Sequence, residues 1–80
     1  MPQVIKVGSY VIFFWLDEGR PLEPVHVHVR NGAGKAKFDI SDGVQLLESK
    51  GMKVPELRKA QELAEENLET IRSKWHEYFD

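Results

Sequence analysis

The sequence predicts an α+β fold: a four-stranded antiparallel sheet of two hairpins, followed by a short and a long helix packed on one face. Two observations carry this prediction. The N-terminal half holds alternating or β-branched segments separated by turn residues, and the C-terminal part holds apolar residues at steps of three and four. Because 80 residues are too few for two independent cores, we expect a single domain over residues 1–80.

The first predicted hairpin lies at the N-terminus. Residues 3–7 and 10–16 are rich in valine, isoleucine and aromatic residues, which favour strands. Gly8-Ser9 between them suits a type II′ turn, since glycine adopts the positive φ that the turn requires. Residues 17–24 hold two prolines, one glycine and four charged residues, which is typical of an exposed loop.

The second predicted hairpin has the clearest pattern in the chain. Residues 25–30 place valines on one side of a strand and polar residues on the other, and residues 35–40 repeat this alternation after a turn at 31–34. The apolar side is expected to face the helices. The polar side chains of the two strands are His26, His28, Arg30, Lys35, Lys37 and Asp39.

Two helices are predicted after the sheet. Ser41 or Asp42 suits the N-cap of a short helix through Ser49, and Gly51 would end it in the left-handed conformation. Pro55 suits the first residue of a longer helix, where its missing N–H would have no partner. An apolar stripe predicts that this helix covers the sheet; its members are Leu57, Ala60, Ala64, Leu68, Ile71, Trp75 and Tyr78.

Composition restricts the class of protein. With no cysteine, the chain has neither a disulfide framework nor a thiolate metal site, and we recognise no secretory signal or membrane-length apolar run. We therefore expect a cytoplasmic protein with no cofactor. The formal net charge of −2 argues against a strongly basic nucleic-acid binder, although residues 25–40 are locally basic.

Several segments resemble a known family. They are Pro24-Val25-His26-Val27-His28-Val29, the run GKAKF at 34–38, Gly51 followed by Glu56-Leu57, and the run WHEYF at 75–79. Together they resemble, almost end to end, the small prokaryotic domain-of-unknown-function family forty-one sixty. The family's usual Pro-Pro-His is Pro24-Val25-His26 here, which affects only the entry to the strand. The resemblance implies a place in two-gene operons suspected as toxin–antitoxin components, and it brings no catalytic residues.

The two strand histidines admit three interpretations besides a binding role. As neighbours on one strand face, with Cα atoms about 6.5–7 Å apart, His26 and His28 are candidate metal ligands, with Asp39 as the nearest oxygen donor and the third ligand unassigned. They could also act as base and acid in RNA cleavage, so the sequence leaves open whether the protein is an enzyme. In the third interpretation they are half-exposed strand residues with no chemistry of their own.

A binding module is the interpretation that we favour. Its predicted binding face consists of His26, His28, Arg30, Lys35 and Lys37, joined by aromatic residues of strand two such as Phe13 and Trp15. Aromatic rings stack on unpaired bases, and basic side chains meet phosphates, in sheets that bind single-stranded RNA. The expected partner is therefore a protein, either the neighbouring gene product or a second copy of the chain, or RNA, and no membrane is involved.

Overall fold

The computed structural model describes residues 3–14 and 25–79, and excludes the side chains of Gln3 and Phe79. Its strands form one antiparallel sheet in the order β1-β2-β3-β4-β5. The α+β class is confirmed, but within these described ranges the sheet has five strands instead of the four predicted. The predicted loop at 17–24, and Trp15 and Leu16 of the second predicted strand, lie outside the described residues. The elements are β1 (Gln3–Val7), β2 (Tyr10–Phe13), β3 (His26–Asn31), β4 (Gly34–Asp39), β5 (Gln45–Lys50), α1 (Val54–Glu66) and α2 (Leu68–Phe79).

Both predicted hairpins form in the expected register. In the first, Val7 pairs with Tyr10 on either side of the Gly8-Ser9 turn. The φ of Gly8 is positive, at 59°, and the φ of Ser9 is not, which is the combination that a type II′ turn requires. In the second, Asn31 pairs with Gly34. These turns set which side chains of neighbouring strands lie opposite one another.

The hydrophobic core lies between the sheet and the two helices. The valine side of β3 faces the helices, as predicted, because its alternate residues are fully buried there. We call this side the covered face. The core consists of Ile12, Phe14, Val27, Val29, Ala36, Phe38 and Ile40 from the covered face and of Ala60, Leu63, Ala64, Ile71 and Trp75 from the helices.

The predicted short helix between Ser41 and Ser49 is wrong, because this segment turns back and forms β5. Ser41 does not cap a helix: its backbone N–H and its hydroxyl both donate to Oδ1 of Asp39, at 2.8 and 2.5 Å. These two bonds hold the chain in a turn directly after β4, and Gly43 continues the reversal with a φ of 80°. The next six residues then pair with β4.

A β-bulge hides the strand character of β5 in the sequence. Lys37 pairs with Glu48 but Phe38 pairs with Leu46, so Leu47 is an extra residue on the outer strand. The extra residue places two leucines next to each other and removes the alternation that would have indicated a strand. Gly51 does adopt the left-handed conformation, with a φ of 73°, but at the end of a strand.

The predicted long helix is divided into α1 and α2 at Asn67. The Asn67 side chain donates from Nδ2 to the carbonyl of Leu63 at 2.8 Å, and its backbone N–H donates to the same oxygen at 3.1 Å. The Leu63 carbonyl therefore accepts two hydrogen bonds from Asn67, and the side-chain bond competes with the regular helical pattern at the end of α1. Among the described residues, no helix is long and apolar enough to cross a membrane.

Polar contacts attach both helices to the sheet. Pro55 lies in the first turn of α1, although the helix begins one residue earlier than predicted, at Val54. Glu56 accepts hydrogen bonds from the Lys53 backbone N–H at 3.2 Å and from Asn31 Nδ2 at 3.0 Å. In α2, Arg72 donates from Nε and Nη2 to the carbonyl of Ile40, at 3.0 and 2.9 Å. These bonds hold the helices on the covered face.

Candidate functional site

The other side of the sheet, which we call the polar face, carries a row of basic residues across the strands. In the strand register, Lys6 pairs with Val11, and Val11 with Arg30. Arg30 pairs with Lys35, and Lys35 with Lys50. Paired residues of neighbouring strands project to the same face. These residues therefore form one line across the five strands, in which β2 contributes the apolar Val11. We call the four cations of this line, Lys6, Arg30, Lys35 and Lys50, the cationic row.

The cationic row is unfavourable in isolation. Neighbouring strands are about 4.8 Å apart, and like charges directly opposite one another destabilise a sheet. Arg30, Lys35 and Lys50 occupy three successive strands, so Lys35 has a cation on each side. Lys35 and Lys50 are exposed and Arg30 is half-buried. A bound anion would remove the repulsion among these side chains.

A chain of aromatic contacts runs beside the cationic row. The rings of Phe13 and His28 are stacked, with centroids 5.3 Å apart and planes 18° apart. The Arg30 guanidinium lies 5.8 Å from the Phe13 centroid. On the other side, His26 lies edge-on to His28 at 5.5 Å and contacts Trp75 of α2 at 5.5 Å. The structure therefore joins stacked rings and a guanidinium at one place on the sheet.

His26 and His28 differ in exposure. His26 is 2% exposed and His28 is half-buried, so the interpretation of both as half-exposed strand residues does not describe His26. The burial of His26 is explained by its contact with Trp75, because the aromatic residue of α2 reaches the end of β3. Only His28 of the two presents its ring toward the basic side chains of the polar face.

Asp39 pairs with His26 across β3 and β4, as the metal interpretation requires. Hydrogen bonds from the Ser41 hydroxyl and, to a smaller extent, from the Ser41 backbone N–H hold the pKa of Asp39 below its ordinary value of 3.8. Burial raises this pKa, whereas the proximity of His26 lowers it further. In residues 3–14 and 25–79, no group of three or more His, Cys, Asp or Glu residues has an arrangement that could hold a metal ion.

A groove opens on the polar face between β3 and β5. Its volume is about 430 Å³, and it combines an aromatic wall with charged side chains of both signs. Glu48, which lies opposite Lys37 in the register, contributes a carboxylate to its lining. The side chains that matter for its chemistry are Phe13, His28, Lys35, Lys37, Glu48 and Lys50.

Most of the predicted binding face lies together in the structure. His28, Arg30, Lys35 and Lys37 share the polar face, whereas His26 lies behind His28 and Trp15 is outside the described residues.

Sequence reasoning missed three residues of this face, namely Lys6, Glu48 and Lys50. The last two were assigned to, or just beyond, a helix that does not exist. Only the register between strands shows that all three share the polar face, and no local sequence signal would have placed them there.

Comparison with family models relates this chain to a described family. The model described as Domain of unknown function (DUF4160) matches residues 9–76 of the 80-residue chain. The match includes the β3 and β4 strands with their basic residues, and it also includes Trp75. No curated protein and no solved structure gives a significant match.

Proposed function

The chain belongs to the family of this domain of unknown function, and from that premise we propose that it is a binding module whose polar face binds single-stranded RNA. The observation that carries the proposal is the cationic row of Lys6, Arg30, Lys35 and Lys50 beside the stacked rings of the same face. Basic side chains that follow a strand of phosphates, and rings that stack on its bases, are the two parts that such binding requires.

The distribution of charge supports a polyanionic partner. Although the whole chain has a formal net charge of −2, positive charge is locally concentrated on the polar face, where cations outnumber carboxylates. Such a concentration steers anions to that face even when the protein as a whole is slightly acidic. The polar face holds the cations Lys6, Arg30, Lys35, Lys37 and Lys50 against the carboxylates Asp39 and Glu48.

The geometry counts against a hydrolytic function centred on the two histidines. General acid–base cleavage requires one group on each side of the reacting phosphodiester, within hydrogen-bond reach of the 2′-hydroxyl and of the leaving oxygen. His26 is 2% exposed and packs between His28 and Trp75, so a phosphodiester cannot approach its ring in this conformation. Binding therefore explains the polar face better than cleavage does.

The proposal is tested by removing two charges of the cationic row. The variant Lys35→Gln/Lys50→Gln should bind a fluorescent single-stranded RNA of about 12 nucleotides more weakly than the wild type does, as measured by fluorescence anisotropy over a salt titration. Its slope of log affinity against log salt should become shallower by about 0.7 for each phosphate that the variant no longer neutralises.

The matched control removes two lysines from the helices. In Lys59→Gln/Lys74→Gln the net charge changes equally, but each lysine lies on a helix, where it pairs with an exposed glutamate three residues further along. This control should bind RNA with the affinity and salt slope of the wild type. An equal loss in both variants, or a wild type that does not bind the RNA at low salt, would contradict the proposal.

A second candidate function is favoured by the outer edge of β5. This strand has no neighbour among the described residues on its outer side, and Leu46 and Leu47 are 42% and 48% exposed. Exposed strand edges pair with strands of other chains. In this alternative the protein is one component of a two-gene toxin–antitoxin-like unit and binds the neighbouring gene product or a second copy of itself. Co-purification with that product, unchanged in the Lys35→Gln/Lys50→Gln variant, would favour it.

A further inference from the structure

The outer edge of β5 is open to a further strand. In the described ranges 3–14 and 25–79, β5 pairs with β4 on one side and has no strand on the other. All six of its residues are exposed. The backbone N–H and C=O groups along such an edge can form a new ladder of hydrogen bonds. Leu46 and Leu47 are among the exposed residues, so association at this edge also buries apolar surface.

The charges on β5 make this strand complementary to itself. In the register with β4, Glu48 and Lys50 project to the polar face, and Ser49 between them projects to the covered face. When two copies of such a strand run antiparallel, the carboxylate of each copy can lie opposite the ammonium group of the other. Opposite charges in these positions stabilise a pair of strands, whereas like charges destabilise it.

The two faces of the sheet restrict how two copies of β5 can pair. The bulge at Leu47 leaves residues 48–50 as the regular part of the strand, and polar-face residues must pair with polar-face residues if one continuous sheet is to form. A two-fold axis at Glu48 places two carboxylates opposite each other, and an axis at Lys50 places two ammonium groups opposite each other. An axis at Ser49 instead pairs Glu48 of each copy with Lys50 of the other. Of these three registers, only the last forms two attractive pairs.

We infer that the protein forms a two-fold symmetric homodimer in which the β5 strands of two copies pair antiparallel about Ser49. The five strands of each copy then join into one continuous sheet. The occupant of the β5 edge is therefore a second copy of this chain, an interface that is isologous because the same residues serve on both sides. The dimer rests on the edge function of β5 proposed above and does not depend on RNA binding.

The dimer also offsets the repulsion within the cationic row. In a single copy, Lys50 has the cation Lys35 on one side and no strand among the described residues on the other. In the dimer, Glu48 of the second copy lies on that open side. The polar faces of both copies point the same way, so the cationic row of each copy continues into the strand position that holds Glu48 and Lys37 of the other.

The experiment reverses the two charges of β5 one at a time. Glu48→Lys places a lysine opposite Lys50 in both symmetric pairs, and Lys50→Glu places a glutamate opposite Glu48 in the same way. Each variant alone should raise the dissociation constant of the dimer about tenfold or more, measured by sedimentation equilibrium without RNA. An equimolar mixture of the two variants should dimerise as tightly as the wild type, because every charge of one variant then faces the opposite charge of the other. This recovery also shows that both variants are folded.

The matched control is Glu62→Lys on α1, which reverses the same charge on an exposed side chain outside β5. It should dimerise as the wild type does. A monomeric wild type, a dimer that both single variants leave unchanged, or a mixture that dimerises no more tightly than its components would overturn the β5 dimer. These results would leave RNA binding by the polar face standing, because no RNA is present. Co-purification of a monomeric wild type with the neighbouring gene product would overturn the dimer and leave the edge function standing.

Discussion

The two faces of the sheet are built from the same strands but are stabilised in different ways. Phe38, on the covered face, is fully buried in the core, whereas Lys37, its neighbour in the chain, lies on the polar face among other cations. The covered face is stabilised by burial of apolar surface, which does not depend on charge. The polar face contains like charges in register, so its charged residues lower the stability of the sheet.

The largest expected effect on the free energy of unfolding distinguishes Phe38 from its chain neighbour Lys37. Phe38→Ala removes a fully buried ring and leaves a cavity beneath the helices, so it should lower the free energy of unfolding by about 3–5 kcal/mol in urea denaturation. Lys37→Ala, one position away on the other face, should change it by less than about 0.5 kcal/mol. Similar losses for the two variants would show that the faces are not energetically distinct.

A smaller, pH-dependent effect is expected at Asp39. The Ser41 hydroxyl and backbone N–H lower the pKa of Asp39 in the folded protein below 3.8, its value in an unfolded chain. The stabilisation is therefore present above pH 3.8 and is lost as the pH falls through the lower folded-state value. Asp39→Asn should be less stable than the wild type at neutral pH, and this difference should shrink as the pH falls below 3.8.

Unfolding free energies of wild type and Asp39→Asn, measured at several pH values, check this prediction. Asp42→Asn serves as a control, because Asp42 is an exposed carboxyl in the same turn. A difference between Asp39→Asn and wild type that stays constant with pH would mean that the hydrogen bonds from Ser41 do not favour the ionised form of Asp39.

The smallest expected effect on stability is a gain instead of a loss. Lys35→Glu places a carboxylate between Arg30 and Lys50, so two repulsive neighbours become attractive, and stability should rise by about 0.5 kcal/mol at low salt while RNA binding falls. The gain should diminish at high salt, which screens exposed charges.

A lysine-to-glutamate substitution on α1 should lower stability instead of raising it. Lys59→Glu removes an exposed ion pair with Glu62, so it should lower stability slightly. A Lys35→Glu variant that is less stable than the wild type would show that the cationic row is not under repulsion.

Local patterns in the sequence predicted the parts of the fold that depend on local chemistry. The strand at residues 25–30, the turn at Gly8 and the helix start at Pro55 each depend on local backbone chemistry, and each appears within one residue of the expected position. The helix prediction for the segment 41–50 is wrong for a physical reason. Its strand is stabilised by pairing with β4, and its bulge at Leu47 removes the alternation that a strand normally shows.

The residues of the proposed binding face also divide into those placed by local pattern and those placed by tertiary contacts. By itself the sequence determined that His28, Arg30, Lys35 and Lys37 share one face, because alternation along a strand and a short hairpin decide this locally. Only the tertiary structure decided that His26 is buried, because the residue that covers it comes from α2, far along the chain. It likewise decided that the row extends to residues 6 and 50, because the register between strands depends on contacts that no single segment contains.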